Sequence, residues 1–533
     1  MSEIHAVEIA FLLLLGFVVI FGIFARKISA PYPIVMVLGG LALSFVPGIP
    51  HFQLNPDMVF LIFLPPLLYS SAWNTSWRDF KANLLTILLL AFGLVGFTVA
   101  GVALLAPFVF PGFDWRLGML LGAVVAPTDA IAATAIARRI GMPERIVDIL
   151  EGESLVNDAT GLLALEFARE IIVQERIPTV SEGLLKLLWL TIGGILVGLV
   201  IGWVIEQIER RLEDATIEIT LSILSPYVIY LAAEELHASG VLAVVTAGLY
   251  LSVKSATFLS PATRLKLWSV WESLTFILNG LVFVLIGLQF PQIRGSIHEY
   301  GLGKIILDGA LFSVILILLR LAWVFPGSHI SEWFNTRVLK RSPRRPATNQ
   351  VFVVGWTGMR GVISLAGALA LPLVLQDGSP FPFRNAIVLL TFCVIFVTLV
   401  LQGLTLPMLV RWLGLAGGDG PNCEELEARR IVATAALTHL TGARERDSAR
   451  NEELYDDLMD HYQSHLASLD LGNQEAAQKH IQYTELSLET LRVERETAIL
   501  LRNEGRINDT VLRRIERELD LSESRLTVFG DED

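Results

Sequence analysis

The chain has 533 residues, of which 53% are hydrophobic and 18% charged. Soluble domains carry about 25% charged residues, so this deficit excludes an ordinary soluble globular protein and indicates an integral membrane protein. The formal net charge is −12, and residues 421–533 hold 25 acidic against 14 basic side chains; the acidity therefore belongs to the last segment, and no strongly basic patch suggests nucleic acid.

The N-terminal stretch MSEIHAVEIAFLLLL lacks a basic leader and a small-residue cleavage site, so it reads as a retained span. About 13 apolar segments follow the length that a bilayer requires, roughly 20 residues each. They run over 6–24, 31–48, 57–73, 82–109, 116–138, 146–172, 184–206, 216–234, 240–253, 268–289, 302–325, 350–373 and 386–412. Pro65 and Pro66 predict a kink in the third. Cys393 sits in an apolar run and Cys423 beyond the last span; two such cysteines make neither a disulfide framework nor a metal site.

Short loops on one side carry Arg26, Lys27, Arg78, Lys81, Arg138, Arg139, Arg145, Arg210, Arg211, Lys254, Arg264, Lys266 and the basic run VLKRSPRRP (338–346). The opposite loops carry Arg116, Arg176, Lys186, Arg294, Lys304 and Arg384. Basic loops stay in the cytoplasm, so the N-terminus is expected outside and the C-terminal tail inside. The basic run is expected to meet anionic lipid headgroups. Residues 1–412 then form a transmembrane domain. Residues 413–533 form a helical cytoplasmic tail, whose stretch Ile507 to Leu526 has amphipathic spacing.

Two spans carry charge and helix breakers together. The fifth holds APTDAIAATAIARR (Ala126 to Arg139) and leads into EGESLVNDATG (Glu151 to Gly161); the twelfth holds GWTGMRGVISLAGALALP (Gly355 to Pro372). Charge at membrane depth is costly and marks an ion or proton pathway. Interrupted spans in both halves are the sequence sign of a secondary transporter. The odd offset of seven puts the two spans in opposite orientations. The expected fold is therefore an all-α membrane protein, an inverted repeat of six helices plus a connector, with two crossed broken helices.

Within the sixth span, Ser154 and Asp158 share one helix face, and Glu153 and Asn157 the adjacent one. Pro127 frees carbonyls in the fifth span, and Thr128 adds a hydroxyl. Oxygen ligands of this kind suit a small hard cation. A buried Asp158 can instead take a proton, so cation and proton would compete for one carboxylate. The plainer alternative is a structural carboxylate paired with an arginine. Asn157 brings no titratable group and is expected to bond frayed backbone of the fifth span, or to pack between helices. Asp129, Glu153, Arg320 and Arg360 are two acids and two bases at membrane depth and need partners. The expected pairs are Glu153–Arg320 and Asp129–Arg360, with the exchanged pairing as the alternative. Glu234, Glu235 and His237 read as wet surface at an outer helix end. Glu272 and Asn279 line a funnel or bond between helices.

These landmarks, FLPPLLYSSAW, APTDAIAATAIARRIGMPERI, LEGESLVNDATGLL and GMRGVISLAGALALP among them, resemble the cation:proton antiporter-1 family over roughly residues 6–412. The resemblance implies a homodimer that exchanges sodium, with lithium or potassium as alternative cations, for protons in the plasma membrane. It implies Asp158 as the shared carboxylate, Ser154 and Thr128 as cation ligands, and Arg320 and Arg360 in core ion pairs. The Asn157–Asp158 pair matches members with electroneutral one-for-one exchange. Tyr69, Ser70 and Ser71 stand where some members have a further acid. No cofactor is expected. A potassium/proton exchanger is the near alternative; an ion channel or membrane-embedded sensor is a more distant one. A membrane enzyme is disfavoured, because no HExxH or GxSxG lies on a span.

Overall fold

The computed structural model describes residues 3–28, 30–47, 56–173, 179–295, 302–338, 340, 346–375, 378–417, 423–446, 452–469 and 474–527. The basic run 338–346 and Arg176 lie largely or wholly outside them, as do the side chains of Arg294 and Cys423. The chain divides into two compact units, Met1–Gly418 and Asp419–Asp533.

Among the described residues the regular structure of the first unit is helical. Its helices are α1 (Glu3–Lys27), α2 (Tyr32–Leu43), α3 (Leu64–Asn74), α4 (Trp77–Leu88), α5 (Val95–Val109), α6 (Trp115–Val125), α7 (Ala130–Arg139) and α8 (Glu144–Val173). There follow α9 (Val180–Glu209), α10 (Ala215–Glu235), α11 (Gly240–Phe258), α12 (Pro261–Leu288), α13 (Leu302–Arg337), α14 (Thr348–Trp356), α15 (Val362–Leu369), α16 (Arg384–Val397) and α17 (Gly403–Trp412). Among the described residues, extended pairing is confined to one isolated bridge, Val374 with Pro380. Eight of the described helical stretches are long and apolar enough to cross a membrane.

Each expected segment falls on a helix, with informative departures. α13 runs twelve residues past the expected end at Phe325 to Arg337, because Pro326 does not stop it. A proline inside a membrane helix is tolerated when neighbours take up the freed backbone groups. As expected, the fifth and twelfth segments are each broken into two half-helices. The third, fourth and thirteenth contain π-helical turns at Val59–Phe63, Leu89–Leu94 and Thr398–Gln402. π turns of this kind often mark functional positions, and the apolar periodicity gave no sign of them.

Burial separates the helices. The apolar window of Ser181–Glu209 is only 11% buried, against 67% for Arg384–Trp412. Leu185, Trp189, Ile192, Leu196, Val200 and Trp203 are exposed along α9, so this helix presents an apolar face to lipid or to a second chain, whereas α16 is largely buried. One close helix contact joins α2 to α12. A Cβ on Gly287 would stand 2.4 Å from the Val37 carbonyl oxygen and 2.5 Å from the Leu41 nitrogen. Backbone lies on backbone there, the arrangement that small residues permit in membrane bundles.

The second unit holds helices α18 (Cys423–Arg446), α19 (Glu452–Ser468), α20 (Gln474–Asn503) and α21 (Asp509–Thr527). Leu512 and Leu519 are the buried stripe of α21, and Arg495 of α20 donates to Asp520 and Glu523 of α21, both at 2.6 Å. Exposed pairs of this kind contribute little to stability; the apolar stripe holds the hairpin.

Gly287→Leu should force α2 and α12 apart and destabilise the protein by about 1–3 kcal/mol, as overpacking does. Thermal unfolding in detergent measures this, and an unchanged midpoint would contradict the contact.

Candidate ion-binding site

The two half-helix pairs meet through their backbone breaks. α6 ends at Val125 and α7 begins at Ala130; α14 ends at Trp356 and α15 begins at Val362. Between them stand Ala126–Asp129 and Thr357–Gly361. Every freed N–H or carbonyl in such a break needs a partner, because the membrane interior offers no bulk water. The Asp129 N–H donates to the Met359 carbonyl at 2.8 Å and so ties one break to the other. The Ala130 N–H donates to Ser154 Oγ at 3.3 Å. The Arg360 N–H donates to Thr398 Oγ1 at 3.1 Å.

The charged side chains serve the helix ends. The Asp129 carboxylate caps α7 by accepting the Ile131 N–H at 2.8 Å. Arg360 Nε donates to the Val125 carbonyl at 3.1 Å, and its Nη1 donates to the Gly358 carbonyl. A carboxylate at a helix N-terminus and a cation at C-terminal carbonyls both suit the helix dipole. The expected Asp129–Arg360 ion pair is therefore not formed. Each charge finds its partner in the backbone that the breaks expose, and the two breaks are joined by a main-chain bond instead.

Glu153 and Arg320 form a two-pronged pair. Nη1 donates to Oε1 at 2.5 Å and Nη2 to Oε2 at 2.8 Å, with both side chains 1% exposed. Arg320 Nη2 also donates to the Val354 carbonyl at 3.0 Å, near the end of α14. The Thr128 hydroxyl donates to Glu153 Oε1 at 3.0 Å, and Asn157 Nδ2 donates to Thr128 Oγ1 at 2.7 Å. Asn157 thus bonds a side chain in the break rather than frayed backbone. The row Arg320–Glu153–Thr128–Asn157 fixes α8 against both breaks. Gly161 completes the join, since a Cβ there would lie 2.2 Å from Pro127 Cγ.

Asp158 stands apart from this row. It is buried, at 5% exposure, and among the described residues it takes part in no hydrogen bond or ion pair. It lines a cavity of about 100 Å³ together with Thr128, Asp129, Ser154, Gly361 and Ser364. Space of this size accepts a few water molecules or a partly hydrated ion. α15 has no side-chain cap, and its first residues share this cavity, so its positive end borders the space beside the Asp158 carboxylate. Ser364 Oγ is buried without a partner. Serines in helices usually donate to a carbonyl one turn back, but for Ser364 that turn is the break itself.

The structure therefore brings Thr128, Asp129, Ser154 and Asp158 to one cavity and sets Glu153, Asn157, Arg320 and Arg360 behind it as its frame. Sequence reasoning missed Ser364 and Thr398. Both are small hydroxyl residues in apolar runs and carry no pattern of their own. Glu234, read as wet surface, accepts the Gly240 N–H at 3.3 Å beside His237, and both line a further cavity. Glu272 lines another with Arg264 and Trp271, while Asn279 is buried.

Crossed half-helices around a cavity that holds one unpartnered carboxylate are the architecture of a membrane secondary transporter. A model of the family described as sodium/hydrogen exchanger, transmembrane, matches residues 13–412, and the chain belongs to that family of transporters. It is 32% identical over 529 residues to an uncharacterised sodium/proton exchanger of Mycobacterium tuberculosis, covering 97% of this chain and 96% of the relative. It is 36% identical over 410 residues to the sodium, potassium, lithium and rubidium/proton antiporter of Bacillus subtilis, covering 75% of this chain and 60% of that protein. The fold is similar to that of the sodium/proton antiporter MjNhaP1 from Methanocaldococcus jannaschii, with a TM-score of 0.59 at 19% identity over 78% of this chain and 99% of that one.

Two outcomes test the frame. Glu153→Leu strands a buried arginine and should cost about 3–5 kcal/mol, most of which Glu153→Leu with Arg320→Met recovers; thermal unfolding of both variants decides it. The charge exchange Asp129→Arg with Arg360→Glu should not rescue the single variants. Recovery of the melting temperature in the double variant would mean that the two side chains pair after all.

Proposed function

We propose that this protein exchanges sodium for protons across the membrane, one for one, with cation and proton competing for Asp158. The observation that carries the reading is the contrast between Asp158 and its neighbours. Glu153, Asp129 and both arginines have structural partners; the Asp158 carboxylate has none and borders the cavity. A buried carboxylate without a partner is costly unless it holds a proton or a cation. Ser154 and Thr128 supply further oxygens to the cation, and Asn157, which has no acid group, gives no second proton. Loaded states cross and the empty charged state does not, which makes exchange obligatory. Rocking of one helix group against the other gives access from each side.

Lithium and potassium are the alternative cations. The printed name of the Bacillus subtilis relative includes both, and the oxygen ligands do not select by charge. The proposal further includes 13 membrane crossings as an inverted repeat, a homodimer, residence in the plasma membrane with the N-terminus outside and the tail in the cytoplasm, contact of the basic loop with lipid headgroups, and a role in pH and salt homeostasis. No cofactor is invoked.

Asp158→Asn should abolish exchange in everted vesicles while insertion and melting temperature stay near those of the parent. Retained sodium-driven proton movement overturns the reading. Asn157→Asp should make exchange respond to an imposed membrane potential if a second proton is then carried; proteoliposomes with sodium, lithium and potassium, with and without a potential, measure both stoichiometry and selectivity.

A further inference from the structure

A second cavity, of about 590 Å³, is lined by Phe60, Thr160, Glu166, Lys186, Glu234 and His237 among others. Lys186 and His237 lie at the ends of helices facing the loops poor in basic residues, which the charge bias places outside. Lys186 Nζ is paired with Glu166 at 3.0 Å and Glu170 at 3.1 Å. The acids Glu166 and Glu234 give the cavity the character of a cation vestibule.

The walls of this vestibule and of the Asp158 cavity share one residue among those described, Phe60. Along α8 the change from one cavity to the other falls between Asp158 and Ala159. Phe60 stands opposite that point, in the π-helical turn Val59–Phe63. The cause of the turn lies in the next residues. Pro65 and Pro66 have no N–H to give to the carbonyls one turn earlier. One of these, the Ile62 carbonyl, instead accepts the hydroxyl of Tyr227 on α10, at 3.2 Å. The segment that carries Phe60 is thus wound irregularly, and Tyr227 of α10 bonds its main chain.

We propose that Phe60 is the outward gate: its ring separates Asp158 from the outer vestibule, and the turn latched by Tyr227 lets it move. This rests on the exchange reading above and adds the residue that controls access from outside. A gate on an irregular turn fits the need for discrete open and closed states.

The test reads access rather than transport, so its failure is separable from failure of the exchange reading. Ser71 lines the Asp158 cavity. Ser71→Cys, with Cys393→Ala and Cys423→Ala, serves as reporter in right-side-out vesicles. A small membrane-impermeant methanethiosulfonate is added outside. Labelling should be several-fold faster with Phe60→Ala than with Phe60, and intermediate with Tyr227→Phe, which keeps the ring but removes the latch. Phe60→Leu replaces Phe60→Ala if the latter fails to fold. Equal outside rates in all backgrounds, with ready labelling from the cytoplasmic side, overturn the proposal. A reporter unreactive from both sides in every background also overturns it, because the ring would then not be the barrier.

Discussion

The structure depends on one constraint: two helices are broken inside an apolar bundle, and the backbone groups so exposed must be bonded. Half-helix ends bring partial charges, positive where N–H groups are free and negative where carbonyls are. Asp129 answers one N-terminus, Arg360 answers the carbonyls of Val125 and Gly358, and Arg320 reaches the carbonyl of Val354. These charges are structural because the breaks demand them. The breaks in turn create the cavity in which Asp158 stands.

This division gives the site its chemistry. A bundle with five charges at depth would be unstable if each were left unpaired, since burial of a lone ion is prohibitive. Here all but one of the charges around the crossing have a partner supplied by the fold. The remaining carboxylate, Asp158, borders the cavity without a partner among the described residues. The row Arg320–Glu153–Thr128–Asn157 fixes α8, and with it Asp158, against both breaks. Access is limited on the outer side by an aromatic ring rather than by a charge, which blocks ions through desolvation without binding them.

The π turns belong to the same design. Each replaces a regular helix turn near the crossing or the vestibule, and in the first two a freed main-chain carbonyl is taken by a side chain from another helix. Tyr227 donates to Ile62, and Trp323 donates to Leu89 at 3.0 Å. Such bonds can be exchanged without unfolding a helix, whereas the backbone ladder of a regular span cannot.

The sequence by itself determined the membrane class, the helical segments and the family, because bilayer thickness imposes a length and composition that each segment must meet. It also singled out Asp158, Glu153, Arg320, Asp129 and Arg360, since charge in an apolar run is visible without a structure. Partner choice was not legible. Asp129 and Arg360 read as an ion pair because each appeared as an isolated charge; the competing partners were backbone groups, which every residue has and which no sequence pattern displays. The irregular winding at Val59–Phe63 follows from Pro65 and Pro66, which the sequence displays, whereas Ser364, Thr398 and Phe60 took their places from the tertiary structure alone. Their roles arise where segments distant in the chain cross, and that geometry is fixed by packing between helices rather than by the residues of any one of them.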